Sequence, residues 1–165
     1  MADKPMFTQV MQIGLVVKDC DASVKRWVGE YGIGPWQIYE FNPETVGQMT
    51  LHGKYQGYAM RLATTTVGSV QLELIEPKDD KSIYAEFLRE HGEGLHHVAF
   101  GVEDYGRVLE SYDKKGEPVL QGGSWNGLTY TYLDLRKDLG LIAEIYDIAP
   151  DFQLPEPVAV YPEKA

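Results

Sequence analysis

Four side chains of types that hold divalent metals recur at matched places in the two halves of this chain. Gln12 sits in the run Gln12-Ile13-Gly14-Leu15-Val16-Val17-Lys18-Asp19, and His97 opens the run His97-Val98-Ala99-Phe100-Gly101-Val102-Glu103-Asp104. The offset from position 12 to position 97, 85 residues, also superposes Asp19 on Asp104 and Val24 on Leu109. Later in each half a carboxylate stands in apolar company, in Leu72-Glu73-Leu74-Ile75 and in Ala143-Glu144-Ile145-Tyr146. Two anionic oxygens, one amide oxygen and one imidazole nitrogen, with no thiolate, suit an octahedral divalent ion: Co, Ni, Mn, Fe or Zn, with water in the open positions. Repetition of this kind is read before local signals, because missing it miscalls the fold.

Each residue also has a plainer reading when taken alone. A strand glutamine is commonly a hydrogen-bonded amide, one of a His-His pair is often merely exposed, and strand glutamates often face solvent. Alternation of side chains along a strand narrows the choice. It places Gln12 with Val10, Gly14 and Val16, opposite the apolar face of Met11, Ile13, Leu15 and Val17. It places His97 with Leu95, Ala99 and Gly101, and turns His96 to the other face with Val98 and Phe100. The small residues Gly14, Ala99 and Gly101 leave room beside the two candidate ligands.

The elements that must position these residues form two similar series. Strand Val10 to Val17 leads to a helix with Asp21 as its N-cap and Val24, Trp27, Val28 and Tyr31 on one apolar face. Gly32 and Gly34-Pro35 stop that helix. Strands follow at Trp36 to Phe41, Tyr58 to Thr66 and Val70 to Ile75, the last two joined by a Gly68-Ser69 turn. After the polar joint Pro77 to Lys81, a short helix begins at Ser82 and ends at Gly92. The second series has strand Leu95 to Val102, a helix with Tyr105, Val108, Leu109 and Tyr112 at the same spacing, and strands at Val119 to Gln121, Thr129 to Asp134 and Leu141 to Tyr146. Each half is therefore β-α-β-β-β. Four prolines between Pro150 and Pro162 forbid a regular element in the tail, which reads as a strap or a disordered end.

Bulk properties bound the function. A chain of 165 residues, 44% hydrophobic and 24% charged, folds as a single domain around a packed core. The net charge of −10 argues against nucleic acid or anionic membranes as partners, and mildly against a highly anionic substrate. Cys20 alone excludes an internal disulfide and fits a reducing compartment. Met1 to Pro5 shows no apolar segment behind a basic one, and no run is long enough to span a bilayer, so a cytoplasmic location is expected.

These modules and this ligand order resemble the vicinal oxygen chelate superfamily, which includes glyoxalase I, methylmalonyl-CoA epimerase, extradiol dioxygenases and antibiotic-resistance proteins. The resemblance covers about residues 8–148. It is strongest for methylmalonyl-CoA-epimerase-like sequences over Leu72-Glu73-Leu74-Ile75-Glu76-Pro77, Ser82 to Phe87, and Gly92-Glu93-Gly94-Leu95-His96-His97-Val98-Ala99-Phe100. It implies an α+β fold in which two β-α-β-β-β modules form a curved mixed sheet around a central cleft, with both module helices outside. Module one would span about 8–77, the linker helix about 82–91, module two about 94–148 and the tail 149–165. It also implies a homodimer, for which Phe152, Leu154, Val158, Val160 and Tyr161 offer apolar anchors.

Two departures bear on activity. The epimerases carry histidine where this chain has Gln12, whereas Gln12, Glu73, His97 and Glu144 together look like the ligand set of glyoxalase I. The epimerases also use a glutamate in a Glu-Gln-Gly segment, where this chain reads Lys54-Tyr55-Gln56-Gly57.

The chemistry such a site implies is removal of a proton next to a carbonyl, with a metal stabilising the enediolate. The resemblance makes Glu144 the base and Glu73 the second carboxylate. Tyr55, Tyr130 or Tyr132 is the candidate second proton donor, and Trp36, Tyr55, Gln56, Trp125, Tyr130 and Tyr132 are the candidate substrate pocket. A metal-dependent isomerase or epimerase of a small carbonyl compound is the first reading. A glyoxalase-type lyase, a ring-cleaving dioxygenase and a non-catalytic resistance-type binding protein are the alternatives.

Overall fold

In the computed structural model, residues 5–116 and 119–163 are described, and expectations for the first four residues and the last two of the tail lie outside them. β1 (Gln9–Val16) runs antiparallel to β7 (Gly94–Gly101) at the middle of an 11-stranded sheet. Beyond β1 lie β6 (Val70–Pro77), β5 (Met60–Val67), β2 (Trp36–Phe41) and β11 (Ala159–Tyr161). Beyond β7 lie β10 (Leu141–Ile148), β9 (Leu128–Leu135), β8 (Gln121–Trp125), β3 (Gly47–Leu51) and β4 (Lys54–Tyr55). β1 pairs parallel with β6, and β7 pairs parallel with β10. This is the open, curved, mixed sheet that the resemblance implies.

The repeat is visible in the central register. Gln12 faces Ala99 and Gly14 faces His97, so exchanging the halves maps one pair onto the other. The outer face of each half carries its own helix, α1 (Cys20–Tyr31) and α3 (Tyr105–Asp113). α1 covers Val17, Trp36, Ile38, Ala63 and Leu74, and α3 covers Leu133, Leu135, Ala143 and Ile145. α2 (Ile83–His91) links the halves, and a short α4 (Arg136–Leu139) sits between β9 and β10.

Several local expectations change. The cap of α1 is Asp19, whose carboxylate accepts from Ala22 N at 2.9 Å, and Asp104 caps α3 in the same way at Arg107 N. Asp21 falls in the first turn and accepts from Arg61 instead. Tyr31, expected on the buried helix face, is exposed. The second strand of module two is Gln121–Trp125, later than expected, which moves Ser124 and Trp125 from a loop onto β8. The hairpin β3–β4, unforeseen, leaves module one and pairs with β8 of the other half.

The tail corrects the largest expectation. Despite its prolines it forms β11, which pairs with β2 through Ala159, Val160 and Tyr161. An edge strand tolerates prolines that an inner strand would reject. Ala149 N donates to Gly127 O at 2.8 Å and Val158 N to Ile38 O at 2.8 Å, so the strap is tied to both halves. Phe152 and Tyr161 pack within their own chain and so supply no argument for a second copy. Among the described residues no helix is long and apolar enough to cross a membrane.

Candidate metal centre and aromatic cavity

His97 is fully buried, and its Nε2 lies 3.1 Å from Glu144 Oε2, 3.6 Å from Glu73 Oε2 and 3.3 Å from Gln12 Oε1. One ligand atom from each of Glu73, His97 and Glu144 falls within 4.8 Å of the others. The strand register explains this convergence. Glu73 stands beside Gly14 on the parallel β6, and Glu144 stands beside Ala99 on the parallel β10. Both carboxylates therefore flank the central pair from opposite sides.

Glycine at position 14 is a steric requirement. A Cβ there would lie 1.9 Å from His97 Cε1, so the imidazole rests directly on the β1 backbone. His96 corrects the alternation argument, which turned it to the far face. The register slips between Gly14/Leu15 and His97/Leu95, leaving His96 as the extra residue of a β-bulge. Both imidazoles consequently point inward, with Nδ1 to Nδ1 at 3.0 Å, and His96 packs among Tyr84, Phe87 and Tyr132. Burial first, and His97 second, hold the His96 pKa well below the ordinary histidine value. The contact between the two Nδ1 atoms fixes the orientation of the His97 ring and directs its Nε2 toward the carboxylates. The buried Nε2 of His96 then has no hydrogen-bond partner among the described residues.

Three further side chains organise the site without having been singled out in the sequence. Gln12 Nε2 donates to Gln71 Oε1 at 2.6 Å, which turns the Gln12 carbonyl oxygen toward His97. Tyr146 OH shares its single hydrogen between Glu144 Oε2 at 2.8 Å and Gln12 Oε1 at 3.0 Å. Gln71 and Tyr146 stand two residues from Glu73 and Glu144, so strand alternation was the signal that marks them. Tyr84, from α2, donates to Tyr132 OH at 2.9 Å deep in the core.

The site opens on a cavity of about 320 Å³ whose walls include Tyr39, Phe41, Trp125, Tyr130, Tyr132 and Tyr146. Of the six residues expected to form a pocket, Trp125, Tyr130 and Tyr132 line it. Trp36 does not, because inward–outward alternation on β2 buries it under α1 against Trp27. Tyr55 is 86% exposed on the edge strand β4, and Gln56 turns its amide back to Gly57 O. Neither reaches the cavity, so Tyr55 is also corrected as a proton donor. Tyr130 bonds Tyr58 OH at 2.6 Å, and Tyr58 in turn bonds Gly122 O.

Burial, and then the charge of Glu144, push the Tyr132 and Tyr146 hydroxyls well above the ordinary tyrosine range. Both phenols remain donors at neutral pH. Glu73 is likewise pushed well above the usual carboxylate range, by burial first and by Glu144 second. Two buried carboxylates beside an imidazole and an amide oxygen, with no lysine or arginine on the cavity wall among the described residues, fit a divalent cation in charge and in donor type.

The family model of the Glyoxalase/Bleomycin resistance protein/Dioxygenase superfamily matches residues 11–131. The chain belongs to this superfamily. Its fold is similar to methylmalonyl-CoA epimerase solved with methylmalonyl-CoA and NH4+, at TM-score 0.62 and 26% identity over 87% of this chain and 96% of that one. It is also similar to Streptomyces coelicolor methylmalonyl-CoA epimerase in complex with 2-nitronate-propionyl-CoA, at TM-score 0.63 and 26% identity over 90% and 99%. A curated relative, 4-hydroxyphenylpyruvate dioxygenase of Legionella pneumophila (strain Corby), is 34% identical over 81 residues, 48% of this chain. The matched stretch spans 23% of that relative's own length.

Proposed function

We propose that this superfamily member is a metal-dependent isomerase or epimerase that moves a proton on a carbon next to a carbonyl. The observation that carries the reading is the convergence of Glu73, His97 and Glu144, with both carboxylates on the wall of a largely apolar cleft. Gln12, Glu73, His97 and Glu144 would hold the ion. A bound divalent ion supplies Lewis acidity, which makes a C–H beside a carbonyl easier to ionise.

The chain's own groups do the rest. Tyr146 and His97 both contact Oε2 of Glu144, so Oε1 is the oxygen left to take the substrate proton. The Tyr146 hydroxyl keeps that carboxylate oriented, and the aromatic walls exclude water that would compete for the proton. Glu73 would be the second carboxylate to hold the ion, and the proton taken by Glu144 is returned to the substrate from the same oxygen.

A glyoxalase-type lyase is the second reading, favoured by glutamine at position 12 with its carbonyl oxygen turned to His97. Both readings use the same proton transfer. The test is exchange of α-protons in deuterated buffer, followed by NMR, across hemithioacetals, acyl thioesters and small ketones with metal-loaded protein. Exchange with one class, lost in His97→Ala together with bound metal, is the expected result. Metal binding and exchange that survive His97→Ala would refute the reading, and so would wild-type protein that takes up no divalent metal.

A further inference from the structure

We infer that the substrate is a compact, uncharged, mainly aromatic or apolar carbonyl compound, held in the cleft and free of any polyanionic carrier. This rests on the proton-transfer reading above and names the substrate class for that same site.

Charge is the first argument. Glu73 and Glu144 are the only charged side chains on the cavity wall among the described residues. A divalent cation balances those two carboxylates and nothing more. A neutral guest therefore leaves the site uncharged, whereas a carboxylate or phosphate guest adds a charge with no lysine or arginine on the wall to meet it among the described residues. The chain's net charge of −10 repels such a guest before it arrives.

Shape is the second argument. Phe41 from module one meets Trp125 from module two edge to face, with ring centres 4.8 Å apart. Trp125 in turn meets Phe152 of the tail at 5.7 Å. The three rings line one wall of the cavity, and Leu154 extends the same wall. The strap that carries Phe152 and Leu154 is tied at Gly127 on one side and Ile38 on the other. A volume of about 320 Å³ lies at the small end of the range for organic ligand sites, about 300–1,000 Å³. It suits a ring with a short oxygenated chain. Flat aromatic walls favour an aromatic guest through edge and stacking contacts.

The test is calorimetric binding to cobalt-loaded protein with three probes: α-hydroxyacetophenone, which is neutral; mandelate, which keeps the ring but carries a carboxylate; and propionyl-CoA. The neutral probe should bind saturably and at least about tenfold more tightly than mandelate, and propionyl-CoA should not displace it. Leu128→Lys places a cation on the cavity wall and should reverse the order of the first two probes with metal content unchanged. A merely structural loss would weaken both probes together. Equal or tighter binding of mandelate or propionyl-CoA overturns the inference, as does failure of α-hydroxyacetophenone to bind. Proton exchange confined to a CoA thioester would leave the proton-transfer reading standing while removing this inference. Selective binding of the neutral probe with no exchange on any compound would do the reverse.

Discussion

The ring of His97 lies where a side chain at Gly14 would be: a Cβ there falls 1.9 Å from Cε1 and 2.4 Å from Nε2 of the imidazole. Gly14 is thus a condition for the candidate metal centre, although it offers no ligand atom. Gly14→Ala should push the ring off the β1 backbone, cost about 1–3 kcal/mol of stability through overpacking, and weaken metal binding roughly 10- to 100-fold. Metal titration with a parallel thermal melt checks both. Wild-type metal affinity in the alanine variant would show that His97 has somewhere else to go.

Tyr146→Phe removes one hydroxyl that serves both Glu144 and Gln12. Hydrogen bonds to charged groups contribute about 1.5–3 kcal/mol. Turnover should therefore fall roughly 10- to 100-fold, with metal content close to wild type. If steady-state kinetics on the exchanging substrate show no change, the hydroxyl is only filling space.

Gln71→Leu keeps the volume of the residue but releases the Gln12 amide, whose NH2 now bonds Gln71 Oε1 at 2.6 Å. The Gln12 carbonyl oxygen then keeps only the Tyr146 hydroxyl to hold it toward His97. Metal affinity should drop roughly tenfold while the melting temperature stays near wild type. An unchanged dissociation constant would argue that Gln12 is not a ligand.

Cys20 tests the packing of α1 on the sheet. Burial first, then the neighbouring charges of Asp21 and Glu76, push its thiol from 9.0 up to about 12. The folded state keeps this proton at a pH where the unfolded chain has released it, so the effect on stability is absent below about pH 8. Stability is then lost as pH rises from 9.0 towards about 12. Because the thiolate is the reactive form, a thiol reagent at neutral pH should label Cys20 only after denaturant is added. Rapid labelling of the native protein would mean that α1 opens readily.

Much of the fold was legible because its signals are local or repeat along the chain. The offset that superposes Gln12 on His97 also superposes Asp19 on Asp104, and those two aspartates are the helix caps in the structure. Strand alternation needs only adjacent residues, and it turned Gln12 and His97 to one face. The same logic failed at His96, because a bulge adds a residue to one strand and resets the count. A bulge is a property of a pair of strands and leaves little mark on either alone.

The sequence by itself determined two repeated modules, their capped helices and four side chains able to hold a metal. Only the tertiary structure decided that Tyr146 reaches Gln12 across 134 residues of chain and Gln71 reaches it across 59. It also decided that Trp36 packs outside under α1 while Trp125 faces the cavity, and that a proline-rich tail lines the cleft with Phe152 and Leu154 before ending as an edge strand. The physical reason is range. Capping and side-chain periodicity are settled by neighbours within a turn or two, whereas strand register and the face a tail covers depend on the packing of the whole sheet.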